Sequence, residues 1–569
     1  MNKKPVIEFK DFTFRYKSQT EPTLKNINLT VYEGEKVLLL GPSGCGKSTL
    51  ANCINGLIPF SYPGEINGSC KIAGIETSTS GIFKLSSVVG TVLQDSDAQF
   101  VGLSVGEDIA YALENDCMPR HEMLPRVEKS VTLVGMQDFL NHVPYDLSGG
   151  QKQRVSLAGI MHDDVKILLF DEPLAALDPQ MGNQAIDLID KIQKSNNKTV
   201  IIIEHRLEDV LYRPVDRIIL LQDGQIISDT TPDELLCSHL LEANGIREPL
   251  YLSALKMAGC EFKVEDHPSD IYSMNLDNYR ENIQNFFGKQ NTNQSKNTIA
   301  NLIVVQHVSY SYLDNKALNN VSFKINKGEK IAVIGKNGAG KSTMAKLLTG
   351  ILRPDEGKIL IDGQDYNQYS IKQLGEKIGY VMQNPNQMLV KDIIKDEVSL
   401  GLNLAGLNNE EIKSRLKEVL TMCKLYPMRN WPISVVSYGQ KKRVTIADIL
   451  ALKPEIIILD EPTGGQDYHA YTEIMTFLDD LNKNHGITIV FITHDMHLAI
   501  EYTDRAIVFS NGKCIKDDEV FKVLADDEVI AEANLKQTSL YTLAERVQMR
   551  PEDLIRSFIA AERSKRHGS

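Results

Sequence analysis

Short apolar runs recur along this chain between segments of helical periodicity. Val37–Leu40 and Ile331–Ile334 are such runs, each followed by a glycine-rich turn and then a helix-like segment. Lys166–Phe170, Thr199–Ile203 and Glu455–Leu459 read as further strands, and Gln151–Ile160 as a helix. Apolar runs of this length alternating with helical patterns predict an α/β sheet with a helical insert. Every run is far shorter than the ~20 residues that cross a bilayer, so no segment is expected to span a membrane.

The pattern is written twice. Gln94 and Gln383, Ser148 and Ser437, Asp171 and Asp460, and His205 and His494 are pairs separated by one constant interval. Past the last pair, Glu242-Ala243-Asn244 and Leu250-Tyr251 return as Glu532-Ala533-Asn534 and Leu540-Tyr541. Each repeat is therefore expected to carry its own helical C-terminal extension. Between the repeats Asn275–Thr298 is rich in Asn and Gln, a composition that reads as a flexible tether. The divisions that follow are 1–235, 236–260, 261–300, 301–525 and 526–569.

Each repeat opens on G-x-x-x-x-G-K-[ST]. The first is Gly41-Pro42-Ser43-Gly44-Cys45-Gly46-Lys47-Ser48-Thr49; the second contains Gly335, Asn337, Gly338, Gly340, Lys341, Ser342 and Thr343. A loop of this kind between a strand and a helix turns backbone N–H groups inward around nucleotide phosphates. Lys47 or Lys341 supplies a point charge for the outer phosphates, and Ser48 or Ser342 a hydroxyl for Mg²⁺. Asp171-Glu172 and Asp460-Glu461 end apolar strands, where ligands bind in open α/β sheets. The Asp is the expected Mg²⁺ holder, and the Glu the group that polarises the attacking water. Leu147-Ser148-Gly149-Gly150-Gln151-Lys152-Gln153-Arg154 precedes a helix and is expected to form a second phosphate-binding nest.

This octet, with a phosphate loop before it and an Asp-Glu pair after it, resembles the ATP-binding-cassette (ABC) family, and the resemblance covers nearly the whole chain twice. It implies two tandem P-loop nucleotide-binding domains of α/β fold, each with a helical subdomain, acting as an ATPase with ATP and Mg²⁺ as cofactors. In that family the signature of one unit faces the phosphate loop of the other. Candidate phosphate contacts there are Ser148, Gly149, Gly150 and Gln151, and Ser437, Gly439 and Gln440. Gln94 and Gln383 match the glutamine that senses Mg²⁺ and the transport partner; a plain surface glutamine is the other reading. His205 and His494 match the switch histidine on the γ-phosphate, and Asp178 and Asp467 the loop that crosses between units. Tyr16 and Tyr312 match the aromatic that stacks on adenine, with a core-facing strand tyrosine as the alternative. Tyr438 stands where the second signature should have its first glycine, and a side chain there restricts the backbone freedom of a nest. The two sites are therefore expected to be unequal, the one with Lys341, Asp460, Glu461 and His494 hydrolysing faster.

Gln383-Asn384-Pro385-Asn386-Gln387-Met388, and less closely Gln94-Asp95-Ser96-Asp97-Ala98-Gln99-Phe100, look like the glutamine loop of energy-coupling-factor (ECF) importers. Gly464-Gly465-Gln466-Asp467 is similar to the crossing loop of fused double ATPases in that group, some of which serve thiamine and its precursor HMP. The resemblance implies partners: an integral-membrane T component and a small substrate-binding S component, with this chain peripheral to the cytoplasmic face of the membrane. Fused sugar-import ATPases and ribosome-associated tandem cassettes are the alternatives. The former lack the Asn-Pro-Asn-Gln string, and the latter need a long basic helical segment between units.

Composition narrows the field further. A chain of 569 residues has room for roughly three to four domain-sized units. Its net charge of −13 is the wrong sign for a main surface that holds a phosphate backbone, so no nucleic-acid partner is expected. The eight cysteines are scattered without a C-x-x-C pair, against a disulfide framework or a zinc site. Near the N-terminus, Glu8, Lys10 and Asp11 interrupt any signal-peptide core, so the chain is expected to stay in the cytoplasm.

Overall fold

The computed structural model describes residues 4–93, 99–161, 165–175, 177–288, 300–313, 315–463 and 466–567. The chain forms two compact units, Met1–Ser253 with Glu261–Asp277, and Ala254–Cys260 with Asn278–Ser569.

In the first unit, six strands lie in the order Gln225–Thr230, Arg217–Gln222, Lys36–Leu40, Thr199–Ile203, Ile167–Asp171, Val89–Val92. All pairs are parallel except the outermost, Gln225–Thr230 on Arg217–Gln222. Lys36–Leu40 and Thr199–Ile203 are buried along their whole length, which is why Val37–Leu40 and Val200–Ile203 read as unbroken apolar runs rather than alternating ones. A four-stranded antiparallel sheet, ordered Leu24–Tyr32, Pro5–Tyr16, Gly64–Ile72, Ile75–Glu76, shares one core with it and with the helix Lys47–Ile54. That shared core fixes the helix that carries the phosphate loop.

The second unit repeats the design. Its six strands run Ile378–Val381, Ile456–Asp460, Thr488–Ile492, Lys330–Gly335, Arg505–Ser510, Lys513–Glu519, again with only the last pair antiparallel. Its antiparallel sheet comprises Asn315–Asn326, Asn301–Tyr312, Glu356–Ile361 and Gln364–Asp365. Both units insert three main helices: Val105–Asn115, Arg120–Val134 and Gly149–Met161, then Ile394–Leu404, Asn409–Met422 and Tyr438–Ala451. Ser104 and Asn408 start two of them with reciprocal capping boxes. Helices also follow each six-stranded sheet: Pro232–Cys237, Leu240–Ala243 and Leu250–Met257, and later Val520–Leu524, Asp527–Glu532, Ser539–Arg546 and Pro551–His567. Among the described residues no helix is long and apolar enough to cross a membrane.

Over its described part, the segment 261–300 departs from the tether that its composition predicts. Val264–Asp266 makes a 3-10 turn, and Arg280–Phe287 is a helix that buries Ile283 and Phe287. Ser557 Oγ donates to the Phe287 carbonyl at 2.8 Å, and Gln284 Nε2 to the Val547 carbonyl at 2.7 Å. Two apolar side chains one turn apart are enough to seat a polar helix on a core formed elsewhere, and composition does not register them. Residues 289–299 of the expected tether lie outside the described residues.

Candidate functional site

Each phosphate loop joins a buried strand to a helix through glycines that no other residue replaces cheaply. Gly41 and Gly335 have φ of 154° and 146°, and a Cβ on either would sit 2.2 or 2.1 Å from the carbonyl oxygen of Leu221 or Phe509. Gly44 and Gly46, like Gly338 and Gly340, are also left-handed. Helices then begin at Lys47 and Lys341, with Ser48, Ser342, Thr49 and Thr343 in their first turns. Both lysines are almost buried, at 6% and 7% exposure, and fold back over their loops. Lys47 Nζ donates to the carbonyls of Gly41 (2.8 Å) and Pro42 (2.9 Å); Lys341 Nζ to those of Gly335 (2.6 Å) and Lys336 (2.9 Å). Ser43 and Asn337 are exposed at the loop tips.

The acids stand at the strand ends, and the structure brings each Glu to a histidine. Glu172 and Glu461 have φ of 48° and 44°, a left-handed backbone rare for such residues. Their amides hook onto the end of the neighbouring strand, at the carbonyls of Ile203 and Ile492, both at 2.9 Å. His205 Nε2 meets Glu172 Oε1 at 2.9 Å, and His494 Nδ1 meets Glu461 Oε1 at 2.7 Å. Burial, reinforced by Glu172, pushes the Asp171 carboxyl up to about 6. Asp460 is raised by burial too, while the hydroxyls of Tyr380 and Ser342 oppose the rise. Ser342 Oγ donates to Asp460 Oδ2 at 2.9 Å, and Tyr380 OH to the same oxygen at 2.8 Å. A serine hydroxyl beside a carboxylate is a hard-oxygen donor set, which fits Mg²⁺ held together with substrate phosphates.

The signature turns correct one expectation. Tyr438 is the first residue of the helix Tyr438–Ala451, and Gly149 holds the same place in Gly149–Met161. Neither turn is a nest. Each is a capping box, with Ser148 N donating to Gln151 Oε1 and Gln151 N to Ser148 Oγ, and Ser437 and Gln440 doing the same. Among the described residues, Tyr438, Gly150 and Gly439 have no left-handed φ, so the backbone admits a tyrosine without strain.

The remaining candidates are spread over both units. Tyr16 leans partly on the core, packs edge-on to Phe14 at 4.8 Å and hydrogen-bonds through its hydroxyl to Thr49 Oγ1 at 3.1 Å. Tyr312 is 41% exposed, which removes the core-facing alternative for it. Asp178 and Asp467 are nearly buried N-caps of Pro179–Asn196 and Tyr468–His485. Gln383 is exposed just past the strand Ile378–Val381. Gln94 and the residues 95–98 after it, and Gly464-Gly465, lie outside the described residues.

Four residues beside these candidates escaped sequence reasoning: Tyr380, Glu204, Thr493 and Lys442. Glu204 is 3% exposed and accepts from the amides of Leu174 (3.1 Å), His205 (2.8 Å) and Arg206 (3.3 Å). At the matching place, Thr493 Oγ1 donates to Glu461 Oε2 at 3.2 Å and accepts from Asp495 N at 2.9 Å. Lys442 is buried, and burial lowers its ammonium to about 8. The signal that finds them is a difference between the repeats at one register: Thr91 against Tyr380, Glu204 against Thr493, Gln153 against Lys442.

Known proteins share these motifs. The family model described as ABC transporter matches residues 24–175 and 318–464, and one described as ATP-binding cassette cobalt transporter matches 238–310. A protein of Clostridium perfringens, provisionally named an ABC transporter ATP-binding protein, is 54% identical over 569 residues, 100% of both chains. One of Enterococcus faecalis with the same name is 52% identical, also over 100% of both chains. Among solved structures the chain is similar to cbiO1 of Clostridium perfringens, described as part of the ABC transporter complex cbiONQ. The identity is 36%, over 41% of this chain and 94% of that one, with a TM-score of 0.38.

Proposed function

The chain belongs to the family of ABC transporter ATP-binding proteins, and from that premise we propose that it energises an ECF-type importer of a vitamin or a metal ion. It is an ATPase with two ATP-binding units. Within each, the phosphate loop and its lysine hold the triphosphate, and Glu172 or Glu461 takes a proton from the attacking water. His205 or His494 orients that glutamate and meets the γ-phosphate. Mg²⁺, held by Ser48 and Asp171 or Ser342 and Asp460, would neutralise charge building on the phosphates. Conformational change at the glutamine loops is passed to membrane partners, a T component and a substrate-binding S component, at the cytoplasmic face of the membrane. The substrate is handled by those partners.

The observation that carries the importer reading is the match of residues 238–310 to the model described as ATP-binding cassette cobalt transporter. The glutamine loop supports it, because the 3-10 turn Pro385–Gln387 leaves Asn384, Asn386 and Gln387 exposed to a partner. The tagged chain should be drawn from its native membranes in mild detergent and its companions identified. A multi-spanning T-like protein with a small S-like one is the expected result. Ribosomal proteins without membrane proteins would overturn the importer reading and leave the ATPase standing; an ordinary permease pair would favour the sugar-import alternative.

A further inference from the structure

We infer that Tyr438 and Lys442 position the glutamine loop of the second unit by clamping it to the first two turns of that unit's own signature helix. Tyr438 OH donates to the Gln383 carbonyl at 3.1 Å. Lys442 Nζ donates to the same carbonyl at 2.6 Å and to that of Met382 at 3.0 Å. The two residues are four apart on one helix and so lie on one face, one above the other. Lys441 adds a third tie, from Nζ to Asn386 Oδ1 at 3.0 Å, and Asn386 N in turn donates to Asn384 Oδ1 at 2.9 Å. Two donors of different length therefore converge on one backbone oxygen, next to the side chain that the family resemblance assigns to Mg²⁺ and partner sensing. A buried ammonium is expensive unless it is compensated. Lys442, 1% exposed, has the Asp460 and Glu461 carboxylates as counter-charge and the two carbonyls as acceptors.

Among the described residues, the first unit has different parts at the matching positions. Gly149 has no side chain to reach the loop, and Gln153 Nε2 donates instead to the Pro173 carbonyl, just past the acids. Lys152, in the place of Lys441, lies over the Tyr145 ring at 6.0 Å. The tyrosine that breaks the second signature thus has work of its own: it makes the glutamine loop and the signature helix of that unit move together. This rests on the ATPase reading and is independent of the importer reading.

Amide hydrogen exchange of the full chain over residues 382–390 tests the clamp without nucleotide. Removing both ties in the double variant Tyr438→Phe with Lys442→Gln should speed exchange there at least tenfold, and each single variant about threefold, with 331–334 unchanged. In a Glu172→Gln background, which isolates the second unit, the double variant should lower kcat about tenfold and leave the KM for ATP within twofold. Unchanged exchange in a folded double variant overturns the clamp. Should the double variant not fold, Tyr438→Phe alone decides, and an unchanged loop in it overturns the clamp equally. Faster exchange in a chain that hydrolyses no ATP would keep the clamp and fell the ATPase reading instead.

Discussion

The two units set the same acid in the same left-handed turn and bring the same histidine to it, then differ in what surrounds them. In the second unit, hydroxyls converge on the acids: Ser342 and Tyr380 on Asp460, and Thr493 on Glu461 alongside His494. In the first, Thr91 and Glu204 occupy the Tyr380 and Thr493 positions, and a third carboxyl is buried beside Asp171 and Glu172. Burial raises Glu204, Arg206 opposes the rise, and the nearby Glu172 carboxylate adds to it. Donors fixed on a base before reaction cost nothing to arrange during it, whereas adjacent carboxylates resist holding full charge together. After duplication, therefore, divergence has fallen on the neighbours of the catalytic candidates rather than on the candidates.

Neutralising each glutamate should expose the largest difference. Glu461→Gln is expected to cut steady-state ATP turnover of the full chain about 100-fold, the scale of a lost general base, and Glu172→Gln only about twofold. Equal losses in a phosphate-release assay would show that the two sites are matched, and the comparison would then fail at its centre.

A stability measurement sharpens it next. Burial brings Lys442 from the ordinary 10.5 to about 8, so between those pH values the unfolded chain binds more protons than the folded one. Stability from this group therefore rises with pH across that window. Denaturant melts should show the native chain gaining up to ~3 kcal/mol over Lys442→Gln between pH 8 and 10.5. Gln153→Leu in the first unit should show no such slope. A flat difference for Lys442→Gln would mean that its ammonium is better solvated than its burial implies.

The smallest expected effect is at the residue before the histidine. Thr493→Val, measured in the Glu172→Gln background, should slow turnover about fivefold, or ~1 kcal/mol for one hydrogen bond, with Thr493→Ser restoring it. Glu204→Thr in the Glu461→Gln background should raise the residual turnover by a similar factor. Opposite signs from these would assign the asymmetry to the signatures instead.

The repeat, the phosphate loops, the acids and the histidines were legible in the sequence because each is a local device: a glycine pattern, a strand that ends in an acid, a residue after an apolar run. The alternation of apolar runs and helical segments determined the α/β class for the same reason, since burial of a parallel strand is written into the unbroken apolar runs Val37–Leu40 and Val200–Ile203. What the sequence could not supply was partnership across distance. Tyr380 looks like any strand tyrosine until the sheet sets it beside Asp460, and Lys442 like any surface lysine of a helix until the fold buries it under the glutamine loop. Arg280–Phe287 reads as linker until a core formed by the last helices accepts Ile283 and Phe287. Local backbone chemistry follows from neighbours in the chain, whereas hydrogen-bond partners and burial follow from residues that only folding brings together. For that reason the sequence by itself determined which residues are candidates to carry the chemistry, and the tertiary structure decided which neighbours surround those candidates in each unit.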